Sequence, residues 1–258
     1  MNAKYTAAMR SVVGTRDEQQ DHAFQSVAAE RVVAAVCDGM GGLESGRIVS
    51  IATIEKFKEL YAKKEPDEAI PSFLLTAVDI LDEFIFQMKH ENGESLHAGT
   101  TLVAAVIEND NLFWLSVGDS RLYILRGSEF VQATRDHNYF LRLDEMMREK
   151  EITENQYQAE AARGEALISF IGMGGIEVMD ISNAPFKLLP KDTVLLSTDG
   201  LYKALSREEI AACLRMEDVE EALTALLDRA SEKACQSQDN TTCVIIRYNE
   251  ERANYETY

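Results

Sequence analysis

The chain has 258 residues, 46% hydrophobic and 27% charged, a globular composition with ample material for a core. Lys plus Arg number 26 against 44 Asp plus Glu, and the net charge of −18 repels nucleic-acid phosphates and anionic membrane surfaces. Residues 1–6 have no long apolar core, no run of about 18 apolar residues occurs anywhere, and Cys37, Cys213, Cys235 and Cys243 show no C-x-x-C spacing; a cytoplasmic protein with reduced, mostly buried thiols is expected.

No repeat, low-complexity tract or Pro/Ser-rich linker interrupts the chain, which contains four prolines, so one domain over 1–248 and a short tail over 249–258 are expected. Strands are predicted over 5–13, 21–27 and 31–37. Beyond the glycines of VCDGMGG (36–42), Ile48, Ile51, Ile54, Phe57 and Leu60 recur at spacings of three and predict one face of a helix over 44–61. A second helix over 72–88 would bury Leu74, Ala77, Val78, Leu81, Phe84, Ile85 and Met88.

Between Thr100 and Thr134 the period changes. Runs over 101–107, 112–117 and 121–125, separated by turn-like stretches at 108–111 and 118–120, predict a three-stranded antiparallel meander. Residues 138–163 are polar and weakly amphipathic, a solvated excursion with helical pieces. A strand over 192–198 runs into Asp199 and Gly200, and Ser206 with Glu209 forms a capping box before a further helix. A last helix over 219–230 turns Ala222, Leu223 and Leu226 inward, and a strand over 241–248 closes the chain. Helices grouped between blocks of antiparallel strands give an α+β class.

Three acids share a context: Asp38 ends the third strand, Asp199 ends the strand over 194–198, and Asp239 opens the last one. Each alone reads as a turn residue. In an antiparallel sheet they would gather on one rim, with Asp119 in the turn at 118–120 joining them. Two unit charges about 4 Å apart repel by roughly 4 kcal/mol at an effective dielectric near 20, so shared protons or cations must neutralise such a cluster. An all-oxygen set suits Mg²⁺ or Mn²⁺ better than zinc. Gly39 and Gly200, following two of the acids, would let backbone approach a metal closely.

Eight ordered blocks resemble the metal-dependent PP2C (PPM) family of protein Ser/Thr phosphatases: GTRDEQQD (14–21), VCDGMGG (36–42), AGTTL (98–102), VGDSR (117–121), TRDH (134–137), ALISFIG (166–172), LSTDGL (196–201) and SQDNTT (237–242). The resemblance spans about 16–246. It implies a four-layer α-β-β-α sandwich with two central antiparallel sheets and two Mn²⁺ or Mg²⁺ ions at one end. It implies that Asp38 bridges both ions with help from the Gly39 carbonyl, and that Asp199 and Asp239 bind one of them. Asp119 matches an acid supporting a third, weaker ion, Asp21 an acid near the metal shell, and Arg16 the arginine that grips the substrate phosphate. The polar segment at about 138–165 falls where the family places a flap.

Two positions depart from the family pattern. Gln20 precedes Asp21 where Glu is frequent, which weakens a water-mediated metal contact. Met40 stands where many animal members have a histidine proposed as general acid, and bacterial members commonly have Met. The resemblance therefore implies a bacterial-type enzyme that hydrolyses phosphoserine and phosphothreonine in proteins by attack of a metal-activated water, with water protonating the leaving group. A Ser/Thr kinase would oppose it, and no nucleic-acid or membrane partner is expected. Two other readings compete: a non-catalytic binding module on the same fold, which loss of the metal acids would mark, and a phosphatase dedicated to one stress-signalling phosphoprotein. His137 is expected to make a structural hydrogen bond beside Asp136, whereas His22, His90 and His97 show no ligand spacing.

Overall fold

Side chains alternate across a strand, so a strand whose every residue is apolar must be covered on both faces. Residues 32–37 form such a run, and a computed structural model of the protein, describing residues 3–41, 45–234 and 237–249, shows both covers. In chain order the elements are β1 (Tyr5–Val12), β2 (Asp21–Ala28), β3 (Arg31–Met40), α1 (Ser45–Lys63), α2 (Ile70–Phe86), β4 (Gly99–Thr100), β5 (Leu102–Glu108), β6 (Asn111–Val117), β7 (Arg121–Arg126) and β8 (Glu129–Gln132). There follow α3 (Tyr139–Arg148), α4 (Glu154–Glu160), a 3-10 turn (Ala161–Arg163), β9 (Asp180–Ile181), β10 (Phe186–Lys187), β11 (Thr193–Ser197), α5 (Asp199–Tyr202), α6 (Arg207–Leu214), α7 (Val219–Ala234) and β12 (Thr241–Tyr248).

The strands form two antiparallel sheets, ordered β1-β12-β11-β7-β8 and β10-β6-β5-β3-β2, with β4 paired to β3 and β9 to β6. Residue parity builds the layers. Val33, Ala35 and Cys37 of β3 pack with Ala104 and Val106 of β5 against α1 and α2. Val32, Ala34 and Val36 face the other way and meet Leu122, Val194, Leu196, Val244 and Ile246 of the second sheet. The outer face of that sheet, with Tyr123, Leu195, Cys243 and Ile245, is covered by Ile210, Leu214, Leu223 and Leu226 of α6 and α7. The expected α-β-β-α sandwich is the result. Ser206 accepts from Glu209 N and Glu209 Oε2 from Ser206 N, so the capping box is formed.

Several sequence expectations need correcting. β3 does not end at Asp38; it continues to Met40 by pairing with β4. Ile48 is exposed, and α1 buries Val49, Ser50 and Thr53 beside the expected Ile54 and Phe57. Steps of three rotate about 60° backwards around a helix, so a pure run of threes cannot stay on one face. Phe84 of α2 is likewise exposed, its ring under the Lys56 ammonium. The predicted meander breaks after two strands. β6 pairs with β5, but β7 pairs with β11 and β8 in the opposite sheet. Residues 250–258 of the predicted tail, Gly42 and Cys235 lie outside the described residues.

Gly118 makes the crossing between sheets. Its φ of +98° suits glycine, and an added Cβ would sit 2.6 Å from Thr101 Cγ2. We expect Gly118→Ala to destabilise the protein by about 2 kcal/mol, read as a lower urea midpoint at unchanged slope. An unchanged midpoint would refute this account of the crossing.

Candidate active site

The parity that builds the central core also aims the acids. Asp38 lies two residues beyond Val36 and so faces the opposite sheet, as Asp21 does two residues before Ala23. The β2–β3 register sets Asp21 directly opposite Asp38. On the other sheet Thr198 follows the parity of Val194 and Leu196, and its Oγ1 donates to Asp21 Oδ2 at 2.8 Å. Asp199 opens α5 immediately after β11, and Asp239 stands just before β12, which pairs with β11 at Ser197↔Cys243. Asp119 sits in the crossing between β6 and β7. The acids thus meet across the sandwich, from both sheets, and not along one sheet's rim as the strand-end argument expected.

The backbone under Asp38 is pinned by the Gly-Thr-Thr block. Thr100 Oγ1 and Thr101 N donate to the Asp38 carbonyl at 2.8 and 2.9 Å, and Asp38 N donates to Thr101 Oγ1 at 2.9 Å. Asn240 performs the same service for the N-terminal loop, donating to the carbonyls of Val13 and Glu18 and accepting from Gln20 N. The glycines after the acids serve packing first. A Cβ on Gly39 would lie 2.0 Å from the Gly46 carbonyl oxygen of α1, and one on Gly200 would lie 2.2 Å from the Asn240 carbonyl oxygen. The close approach expected of a metal is made there by neighbouring backbone.

Burial and mutual repulsion raise the carboxyl pKa values. Asp38 is pushed well above the usual carboxylate range by burial and then by Asp21, Asp199, Asp119 and Asp239. Asp21 rises to about 7, mainly through burial, against the opposing hydrogen bonds from Thr198 and Thr242. Asp119 rises to about 6 through burial and Asp199, with Lys203 and the Tyr202 hydroxyl pulling the other way.

Two of the acids hold cations of the chain itself. Arg16 Nη2 donates to Asp239 Oδ2 at 2.7 Å, and Lys203 Nζ donates to Asp199 Oδ2 at 2.7 Å. Asp21 Oδ1 and Asp199 Oδ1 are buried without a hydrogen-bond partner. Among the described residues no three His, Cys, Asp or Glu side chains are arranged as they stand to hold a metal ion. The donor set is nonetheless all oxygen, two of its buried oxygens are unsatisfied, and the acids repel one another. Those properties fit a hard divalent cation.

His137 makes the expected structural hydrogen bond, with Gly118 as its partner. Its Nδ1 accepts from Gly118 N at 3.2 Å and its Nε2 lies 3.6 Å from Asp180 Oδ1, while Asp136 is paired with Arg121 instead. Arg121 stacks on the Tyr202 ring, 3.3 Å from its centroid, and the Tyr202 hydroxyl donates to Asp119 Oδ2 at 3.2 Å.

A family model described as Protein phosphatase 2C matches residues 11–239. The chain belongs to the protein phosphatase 2C family. Among curated relatives, it is 27% identical over 226 residues to the serine/threonine phosphatase stp of Listeria welshimeri, covering 84% of both chains. Its fold superposes on the S. agalactiae serine/threonine phosphatase with a TM-score of 0.80 at 25% identity, covering 95% of this chain and 100% of that one. The catalytic domain of the phosphatase PstP in complex with two manganese ions gives a TM-score of 0.73 at 26% identity, over 95% and 99% of the two chains.

In this protein phosphatase 2C chain all the sequence-predicted acids come to one end of the sandwich, as does Arg16. Sequence reasoning missed Thr198, Tyr202 and Lys203. Thr198 had a signal in its strand parity, and Lys203 had one in its i,i+4 spacing from Asp199; Tyr202 had none, since its partner Asp119 lies 83 positions away.

A pH dependence follows from the raised carboxyls. The unfolded chain releases these protons near about pH 4, whereas folded Asp119 and Asp21 hold theirs to about 6 and about 7. The folded form binds more protons in that window, so stability falls as pH rises through it. In EDTA the thermal midpoint is expected to drop by roughly 5 °C or more between pH 5 and 8, and millimolar Mn²⁺ should remove most of the drop. A flat profile in EDTA would contradict it.

Proposed function

We propose that this chain is a metal-dependent protein serine/threonine phosphatase whose reaction centre is the acid cluster between the two sheets. The observation that carries the reading is the convergence of Asp21, Asp38, Asp119, Asp199 and Asp239, mutually repelling and short of positive charge, in a chain of the protein phosphatase 2C family. Asp38 and the Gly39 carbonyl, with Asp199 and Asp239, would hold two Mn²⁺ or Mg²⁺ ions, and Asp21 would lie beside them. When bound, such ions lower the pKa of a coordinated water from 15.7 toward about 7 and offset charge on the phosphoryl oxygens.

The chain's own residues set the rest. The Thr100–Thr101 hydrogen bonds hold the Asp38 backbone, so its carboxylate is presented without reorganisation. Arg16 is exposed at the edge of the cluster and paired with Asp239; a phosphoryl group carrying more negative charge would draw its guanidinium over. Met40 has no proton to give. His137 is wholly buried behind the Gly118 turn and cannot reach a substrate. Neither residue protonates the leaving alkoxide, a role we assign to water. Among the described residues, Cys37, Cys213 and Cys243 are buried and burial pushes their thiol pKa values up, which makes these three poor nucleophiles.

The unit proposed to act is a single domain over 1–248, with the α3–α4 segment at about 138–165 as a flap. Its substrates would be phosphoserine and phosphothreonine proteins, with a Ser/Thr kinase opposing it in the cytoplasm. Among the described residues no helix is long and apolar enough to cross a membrane.

Hydrolysis of p-nitrophenyl phosphate and of a phosphothreonine peptide tests this. Activity should require Mn²⁺ or Mg²⁺, stop in EDTA, and fall by roughly 100- to 1,000-fold or more in Asp38→Ala and Asp199→Ala. Full activity in EDTA would overturn the reading. Arg16→Ala should lose roughly 10- to 100-fold in kcat/KM while leaving the thermal midpoint nearly unchanged.

A further inference from the structure

Asp119 and Asp199 are buried neighbours, burial and then repulsion from Asp199 raising the Asp119 pKa, and the resemblance implies a third, weaker ion between them. The structure puts something else there. Lys203 lies one helical turn after Asp199, its backbone N–H donating to the Asp199 carbonyl at 2.9 Å. Its ammonium turns back to Asp199 Oδ2 at 2.7 Å and reaches Glu165 Oε2 at 3.3 Å. An acid four residues before a lysine is the favourable order for such a pair on a helical turn. The adjacent residue completes the arrangement, since the Tyr202 hydroxyl donates to both the carbonyl oxygen and Oδ2 of Asp119, at 3.1 and 3.2 Å. Arg121, held bidentate by Asp136, stacks on the Tyr202 ring and fixes that hydroxyl in place. One lysine and one tyrosine, consecutive in sequence, therefore engage one oxygen each of the two carboxylates that a third ion would need.

We propose that Lys203 is a built-in cation of the acid cluster, taking the position beside Asp199 that a third divalent ion would occupy, so that this chain loads two ions and not three. The inference rests on the metal-dependent reading above. A divalent ion bound to Asp199 Oδ2 and an ammonium 2.7 Å from the same oxygen exclude each other, by charge and by space. Asp199 Oδ1, buried and without a hydrogen-bond partner, stays available for the principal pair of ions, so filling one oxygen from within does not disable the other. Glu165 contributes little, because its side chain is largely exposed and such pairs are weak.

Counting bound ions tests this without reference to activity. Mn²⁺ uptake would be measured by equilibrium dialysis and by the free-Mn²⁺ EPR signal, up to several millimolar, for the wild type, Lys203→Asp, Lys203→Met and Glu165→Gln. Two ions are expected in the wild type and in Glu165→Gln. Three are expected in Lys203→Asp, the third at least tenfold tighter than any additional uptake by Lys203→Met. Three ions in the wild type, or only two in Lys203→Asp with its thermal midpoint intact, would overturn the role given to Lys203 alone. No Mn²⁺ uptake by the wild type would overturn the metal-dependent reading itself, and this inference with it.

Discussion

Like charges do not gather in a protein interior unless something makes them, and here two sheets drive five carboxylates to one end of their shared core. The alternation that buries Val32, Ala34 and Val36 between the sheets also sends Asp38 inward, and the β2–β3 register sets Asp21 opposite it. Hydrophobic burial elsewhere in the strands covers the cost. Few other residues in the site region are free of this constraint: Thr198 donates to Asp21, Tyr202 to Asp119, Lys203 to Asp199 and Arg16 to Asp239, each relieving one carboxylate. A site built this way is electrostatically unfinished in the chain alone, which suits a fold whose chemistry comes from bound cations.

The rigid parts of the site are backbone contacts, and they explain much of its small-residue composition. Gly39 lies against the Gly46 carbonyl and Gly200 against the Asn240 carbonyl at distances that leave no room for a Cβ. Those contacts draw α1, β3, α5 and the start of β12 together before any ligand is considered. Thr100, Thr101, Ser120 and Asn240 then hold the loops that carry the acids by hydrogen bonds within the core. Asp38 is thereby held by its main chain, while Arg16, longer and more exposed, keeps the freedom to exchange partners.

Flanking segments follow a similar logic at lower stakes. The Asp82 carboxylate of α2 accepts from the backbone N–H groups of Gly172, Met173, Gly174 and Gly175, fixing a loop that returns to β4 through Thr100 and Ile171. The α3–α4 segment buries only Leu143 of its helical residues, as its polar sequence implies.

By itself the sequence determined the types of the longer elements, though not β8 or α5, the apolar runs that require double coverage, the capping box at Ser206, and the motif blocks from which the acids and Arg16 are named. Those are local properties, written in period, propensity and ordered spacing. Tertiary structure alone decided that β7 leaves the meander for the opposite sheet, because a positive-φ turn at Gly118 can lead either way and only packing chooses. It also decided that Ile48 and Phe84 face solvent, since the rotation of a helix about its axis is set by what it covers. The same holds for the acids' counterions. Asp199 and Lys203 are neighbours on one turn, but Asp119 with Tyr202 and Arg16 with Asp239 meet only because β7 pairs with β11 and β1 with β12, which brings together strand ends distant in sequence.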